Sequence, residues 1–140
     1  MNREFLFRGK CGKSDKWAYG SLWDGETDRP DRTDAVIIPK RLTADAVNVD
    51  PYTVGQYTGL KDKNGVKIFE GDILEVKRSL LLGKTLVGEI IWQSGGFWFY
   101  FKHPLRDGYG TLGLEPLCNQ GAVVIGNRHD TPELLEANNE

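Results

Sequence analysis

Short apolar runs alternate with polar, glycine-containing segments along the chain, which is the pattern of many short strands joined by turns. Residues 5–8 and 17–23 each alternate their side chains as a strand does, and the polar residues 9–16 between them predict a hairpin turn. Residues 24–34 contain no hydrophobic side chain and predict an exposed loop. Residues 35–39 predict a short strand closed by proline. The N-terminal part is therefore expected to be a hairpin followed by extended chain.

The stretch from residue 54 to residue 73 is the most informative part of the sequence. Its apolar and polar positions predict two strands separated by Asn64-Gly65. This pair is the strongest two-residue hairpin signal, because both turn positions tolerate positive φ. Glu70-Gly71-Asp72 predicts a second tight turn, and residues 73–77 predict the strand that follows it.

The C-terminal half continues the same alternation of strands and glycine turns. Strands spaced by roughly 8–12 residues favour a small barrel or roll. The predicted elements are a hairpin tip at 80–83, a strand at 87–92, a turn at 94–96, an aromatic strand at 97–101, a loop at 102–113, a strand at 122–125 and a short helix starting at 130–133.

Composition and charge limit the classes of protein to which the chain can belong. A chain of 140 residues predicts one domain with room for a small appendage, and 39% apolar and 27% charged residues are typical of a globular protein. A net charge of −2 argues against a protein whose main task is to grip nucleic-acid phosphates, since such domains are basic, with a pI above about 9. No apolar run reaches the roughly 18–20 residues that span a bilayer, and the N-terminus lacks a signal-peptide core. We expect a cytoplasmic protein without membrane contact.

The candidate metal and redox groups are few. Cys11 and Cys118 are too few for a secreted disulfide scaffold and indicate reduced thiols, with a single bridge as the alternative. His103 and His129 add no zinc-like spacing. The sequence also lacks a P-loop, a dinucleotide fingerprint and a His-Glu-x-x-His motif. We therefore predict no metal and no cofactor.

Residues 51–73 closely resemble the YopX family of phage and prophage proteins. The positions that carry the resemblance are Gly55, Gln56, Thr58, Gly59, Asp62, Asn64, Gly65, Glu70, Gly71 and Asp72. Further similar segments lie at residues 7–10, 88–92, 95–97, 125–127 and 132–135. The resemblance implies a mostly β protein with an SH3-like barrel in its C-terminal part, encoded on a phage, a prophage or another mobile element. It implies no established catalytic residues.

Pattern and resemblance together predict a mainly β fold with three regions. Residues 1–50 form an N-terminal β-hairpin region that packs on or pairs with the barrel. Residues 51–128 form the small SH3-like β-barrel. Residues 129–140 form a short C-terminal helix and a tail.

The acidic turn Glu70-Gly71-Asp72 has two interpretations. Its carboxylates would serve as metal ligands or as an acid and a base in a small hydrolase, together with one histidine. Alternatively, Gly71 supplies an unusual backbone angle and Asp72 accepts hydrogen bonds from turn amides, which is the interpretation we favour. Gln56 and Thr58 are likewise expected to satisfy backbone groups where the chain bends, rather than to bind a ligand.

Five consecutive aromatic residues, Phe97, Trp98, Phe99, Tyr100 and Phe101, give the best functional clue outside the family pattern. A strand alternates faces, so either the three phenylalanines or Trp98 and Tyr100 point to the core. The other set must meet another layer, a second subunit or a ligand. A stacking platform for bases is the alternative to such packing.

Trp17 and Trp23 of the N-terminal hairpin complete the candidate binding or interface residues. Four Trp, five Tyr and six Phe are many for a small barrel to bury, so we expect a homo-oligomer. The sequence predicts a phage-associated, non-enzymatic binding or assembly module, with a host or phage protein as a further partner. The alternative function is binding of single-stranded or structured nucleic acid.

Overall fold

The computed structural model describes residues 4–12, 14–23, 35–39, 46–77, 79 and 82–136, and of Trp23 it describes the backbone. Within these residues the fold is mainly β, with two antiparallel five-stranded sheets and two short helices. The loop expected at 24–34, part of the hairpin tip expected at 80–83 and the end of the tail lie outside them. The chain divides into two compact units, Met1–Tyr57 and Thr58–Glu140.

Ten strands and two short helices lie in the described part of the chain. The strands are β1 (Phe7–Lys10), β2 (Trp17–Trp23), β3 (Ala35–Ile38), β4 (Val47–Lys61), β5 (Lys67–Phe69), β6 (Asp72–Val76), β7 (Leu86–Gln93), β8 (Gly96–Lys102), β9 (Tyr109–Gly113) and β10 (Val123–Asn127); the helices are α1 (Leu114–Asn119) and α2 (Glu133–Glu136). The predicted region boundary at residues 50 and 51 and the observed division at Tyr57 and Thr58 both fall within β4.

In the N-terminal unit, four strands pair into a closed ring. β1 pairs with β2, β2 with β3, and β3 with the start of β4, which returns to β1. Closing a sheet on itself removes free strand edges. Ala35, Ile37 and Val49 form the buried core inside this unit.

The predicted N-terminal hairpin is present, but its turn is shorter than residues 9–16. Gly9 and Lys10 belong to β1, where Gly9 lies opposite Ala18. A Cβ atom on Gly9 would stand 2.6 Å from Cγ2 of Val49. Glycine at this position therefore serves the close packing of two strands and does not mark the turn.

In the C-terminal unit, the sheet order is β10-β6-β7-β8-β9. One face of this sheet carries the core together with α1, which buries Leu114 and Leu117. The buried core residues are Ile68, Leu74, Val76, Leu86, Ile90, Phe99, Phe101, Leu114, Leu117 and Ala122.

Two glycine turns differ in detail from expectation. At Asn64-Gly65 only the glycine takes a positive φ, of 81°. The Gly65 N–H donates to the Asp62 carbonyl at 3.0 Å, so the hairpin closes through a longer loop than two residues. At Ser94-Gly95 both residues have positive φ, 51° and 77°, which makes a two-residue turn and leaves Gly96 in β8.

The loop predicted at residues 102–113 is wrong in its second half, because β9 occupies residues 109–113. The glycine content of this segment suggested a loop. In the structure, Gly110 lies opposite Phe101, and a Cβ on Gly110 would stand 3.0 Å from the Phe101 ring. The glycine makes room for a core phenylalanine on the neighbouring strand.

Candidate interaction surface

Strand β8 divides its five aromatic side chains between two faces. Phe99 and Phe101 are 0% and 4% exposed, and Phe97 packs half-buried against the same core. Trp98 and Tyr100 therefore lie on the opposite face, as the two-residue period of a strand requires. The structure thus selects the alternative in which the phenylalanines fill the core.

Trp98, Tyr100 and Tyr109 together form the outer aromatic strip of the C-terminal sheet. The Tyr100 and Tyr109 rings stack with centroids 5.0 Å apart and planes 5° apart. The Trp98 indole N–H donates to the Gln93 carbonyl at 2.9 Å, which fixes the ring at the hairpin turn. Trp98 is 37% exposed and Tyr109 is 61% exposed. The strip is thus a set of ordered aromatic rings that are partly exposed to solvent.

Charged side chains of both signs lie near the strip. Glu89 lies opposite Tyr100 in the register of β7 and β8, and its carboxylate is 3.9 Å from the Arg128 guanidinium. Lys102 lies opposite Tyr109 in the register of β8 and β9 and is exposed. A surface with charges of both signs suits contact with a protein better than contact with a row of phosphates.

The sequence did not single out Tyr109, because it falls in the segment predicted as a loop. The signal that could have found it is the alternation of Tyr109 and Thr111 with Gly110 and Leu112. At the other end of the strip, the β7–β8 hairpin also exposes Trp92 on the core side of the sheet, where its ring meets Phe97 edge-on at 4.9 Å. The hairpin end thus carries aromatic surface on both faces.

The candidate tryptophans of the N-terminal unit are placed differently. The Arg8 guanidinium is buried and lies over the Trp17 ring, with Cζ 4.6 Å from the ring centroid. This cation–π contact uses one face of Trp17 inside its own unit. The Trp23 side chain lies outside the described residues, so its predicted role stays a prediction.

Asp62 of the family pattern is a structural acceptor of three backbone amides. Its Oδ1 accepts the N–H groups of Asn64 at 2.9 Å and Val66 at 2.8 Å. Its Oδ2 accepts the Val124 N–H at 2.9 Å. The buried carboxylate therefore ties the hairpin turn to strand β10.

Two further pattern residues also act on the backbone. The Thr58 hydroxyl donates to the Ile68 carbonyl at 2.8 Å and accepts the Leu60 N–H at 3.2 Å. This is the role predicted for Thr58. Gly59 takes a φ of 88°, which a glycine adopts without strain. Gln56 lies opposite Phe7 in the pairing of β1 with β4.

In the acidic turn, Gly71 supplies an unusual backbone angle and Asp72 accepts a backbone amide, which is the interpretation that we favoured. Gly71 takes a φ of 92°, and Asp72 is 2% exposed. The Asp72 Oδ2 accepts the Phe69 N–H at 2.7 Å, across the turn. The Gly71 N–H donates to the Ile90 carbonyl at 2.8 Å. The turn thus holds the entry of β6 against β7.

The structure brings one of the two histidines close to this turn. His129 Nε2 lies 3.7 Å from the place of a Cβ on Gly71, and Arg128 Nε lies 3.5 Å from it. The Arg128 Nε–H donates to His129 Nε2 at 3.4 Å. His103 instead accepts the Leu105 N–H at its Nδ1, at 3.2 Å, within its own loop.

In the part of the chain that the structure describes, no cluster of three or more His, Cys, Asp or Glu side chains could hold a metal ion. Cys11 and Cys118 are free thiols. Burial, and then the carboxylates of Asp62 and Glu115, raise the pKa of the Cys118 thiol. None of the described helices is long and apolar enough to cross a membrane.

Fold and surface define a small antiparallel β protein of two units that displays an ordered aromatic strip. The YopX protein family matches residues 6–136, nearly the whole chain, and the chain belongs to this family. The crystal structure of protein EF1440 from Enterococcus faecalis is similar, with 25% identity and a TM-score of 0.57 over 96% of this chain and 99% of that chain. No curated protein matches the chain. The SH3-like barrel stays a prediction with which the two sheets are compatible.

Proposed function

We propose that this YopX-family protein is a non-enzymatic assembly module, carried by a phage, a prophage or another bacterial mobile element, that self-associates in the host cytoplasm. The observation that carries the proposal is the outer aromatic strip. Tyr and Trp are enriched at protein interfaces and in their energetic hot spots. Family membership supports the mobile-element origin, and the use of Asp72 as a backbone acceptor supports a structural role for the acidic turn.

The exposed part of the strip sets the strength of the expected contact. An aromatic side chain buries about 150–250 Å² when fully covered. With Trp98 37% and Tyr109 61% exposed, covering both would remove roughly 150–250 Å² per copy. At about 25 cal/mol per Å², two copies gain roughly 8–12 kcal/mol before association costs of about 4–15 kcal/mol. The dimer is therefore expected to be weak, and its population should depend on concentration.

Light scattering after size-exclusion chromatography tests this proposal over about 1–500 µM protein, the range in which a weak dimer changes population. We expect the wild type to dimerise as its concentration rises. Trp98→Thr keeps a residue that favours strands and should shift the protein to monomer. Tyr52→Thr is the matched control, since Tyr52 is 84% exposed in the N-terminal unit. A wild type that stays monomeric throughout would refute self-association.

A host or phage protein is the second partner that the same strip would fit. Co-purification from induced host cells with wild type and with Trp98→Thr would identify such a partner. A protein captured by the wild type and by Tyr52→Thr, and lost with Trp98→Thr, would place the contact on the strip.

Binding of single-stranded nucleic acid is the second candidate function. The observation that favours it is the parallel stack of Tyr100 and Tyr109 with Lys102 directly across from Tyr109. Stacked aromatic side chains beside a cation form a platform for bases. Titration of tryptophan fluorescence with oligonucleotides at low salt, where electrostatic attraction is strongest, tests it. Absence of binding there would reject this function.

A further inference from the structure

We propose that the outer edge of strand β9 pairs with β9 of a second copy, antiparallel and centred on Thr111. The inference rests on the proposed self-association and names the backbone contact that would hold two copies together. It differs from a face-to-face contact of the aromatic strips, because the two sheets would join edge to edge.

The hydrogen-bond phase of the β8–β9 hairpin shows which peptide groups of β9 are directed outward. The His103 N–H donates to the Gly108 carbonyl at 2.9 Å. Hydrogen-bonded and non-hydrogen-bonded pairs alternate along an antiparallel ladder. In the observed register, Gly110 and Leu112 are therefore the β9 residues that bond to β8.

The peptide groups of Tyr109, Thr111 and Gly113 consequently point away from β8. Among the residues that the structure describes, no strand pairs with this side of β9. Tyr109 and Thr111 are exposed. The strand sequence Tyr-Gly-Thr-Leu-Gly also carries none of the charged residues or prolines that blunt sheet edges. The edge therefore has donors and acceptors ready for another strand.

The opposite edge of the same sheet is closed. On β10, the Val124 N–H donates to the Asp62 carboxylate at 2.9 Å. Further along, the Asn127 N–H donates to the Thr131 hydroxyl at 3.1 Å. Side chains thus occupy β10 donors that an added strand would need. The contrast between a capped edge and an open one singles out β9 as the pairing edge.

One register pairs the whole of β9 with itself. With Thr111 opposite Thr111 of the second copy, Tyr109 faces Gly113, so the largest side chain of the strand meets a residue without one. The outward peptide groups of the two strands then face each other, as an antiparallel ladder requires. The peptide N–H of each Thr111 donates to the carbonyl of the other Thr111. The Gly113 N–H donates to the Tyr109 carbonyl of the other copy.

The same register joins the two aromatic strips. Trp98 lies opposite Gly113 in the β8–β9 pairing, so Tyr109 of the second copy would lie over Gly113 and beside Trp98. Each strip would then continue across the interface on one face of a joined sheet. A two-fold axis through Thr111 makes the contact isologous and closed, which limits it to a dimer.

Cross-linking at Thr111 tests the register. Opposed residues of a hydrogen-bonded antiparallel pair have Cα atoms about 5.5 Å apart, within reach of a short thiol-to-thiol cross-linker. We expect Thr111→Cys, in a chain that also carries Cys11→Ser and Cys118→Ser, to form a covalent dimer with a short bismaleimide. Lys84→Cys in the same background is the control for chance collisions, since Lys84 is exposed. Cross-linking no greater than that of the control would overturn the inference.

Thr111→Pro separates the edge contact from the proposed function. Because the Thr111 N–H points away from β8, proline removes a donor for the second copy and leaves the β8 ladder intact. We expect a monomer with the circular dichroism of the wild type. A dimer that survives Thr111→Pro and is lost with Trp98→Thr would overturn edge pairing while the proposed assembly role stands. A wild type that never dimerises would overturn both.

Discussion

Replacing Asp62 by asparagine tests whether one buried carboxylate ties the hairpin turn to strand β10. The side chain is 7% exposed and accepts hydrogen bonds from Asn64, Val66 and Val124. Asparagine has the same shape but carries an NH₂ group in place of one oxygen. If the asparagine oxygen accepts the N–H groups of the turn, its NH₂ group faces the Val124 N–H. Two hydrogen-bond donors then face each other without an acceptor.

The expected loss follows from these contacts. A half-buried N–H left without an acceptor costs about 1–3 kcal/mol, which applies to Val124. Asn64 and Val66 are exposed, so their amides keep a neutral acceptor or turn to water, at about 0.5–1 kcal/mol each. The free energy of unfolding should therefore fall by about 2–5 kcal/mol in Asp62→Asn.

Urea unfolding followed by circular dichroism measures this loss. With an m value of about 2 kcal/mol per M, the midpoint should fall by roughly 1–2.5 M. Asp50→Asn is the matched control, since Asp50 is exposed and accepts only the Tyr52 N–H, at 3.0 Å, among the hydrogen bonds described for its side chain. Its change should stay within about 0.5 kcal/mol. Equal midpoints for Asp62→Asn and Asp50→Asn would refute the reasoning.

Two further predictions concern packing and thiol chemistry. Gly88→Ala should destabilise the protein by about 1–3 kcal/mol in thermal melts, because the added Cβ would clash with the Tyr100 carbonyl oxygen. Gly12→Ala, whose Cβ would have nothing within 4 Å, should be near neutral in the same melts. Burial raises the pKa of the Cys118 thiol, so in Cys11→Ser iodoacetamide should label Cys118 more slowly than free cysteine at about pH 8, where less thiolate is present. Equal labelling rates would contradict the second prediction.

Period and turn chemistry were sufficient to predict most strands of the C-terminal unit. Strands appear near residues 73–77, 87–92 and 97–101, where β-branched or aromatic runs end at glycine turns. The sequence could not decide which face of residues 97–101 is buried, because all five side chains are aromatic and no polar position marks the solvent side. Only packing against the rest of the sheet settles that choice.

The missed features depend on contacts between distant parts of the chain. The sequence predicts a loop in place of strand β9, because glycines such as Gly110 favour turns. In the structure, Gly110 instead makes room for the Phe101 ring on the neighbouring strand. That error also hid Tyr109, one third of the outer aromatic strip. Likewise, local reasoning assigns Asp62 to its own turn and cannot reveal its bond to Val124.

The bond between Asp62 and Val124 joins residues 62 positions apart, and this separation orders events while the chain folds. The turn at residues 62–66 closes locally, within the roughly 1–10 µs of hairpin formation. Strand β10 reaches β6 only after a long loop has closed, which is slower. On the ribosome, where the chain emerges N-terminus first, β6 would keep an open edge until residues 123–127 have been made. A chain terminated before β10 would therefore carry unpaired strands at both sides of its sheet and be prone to aggregate.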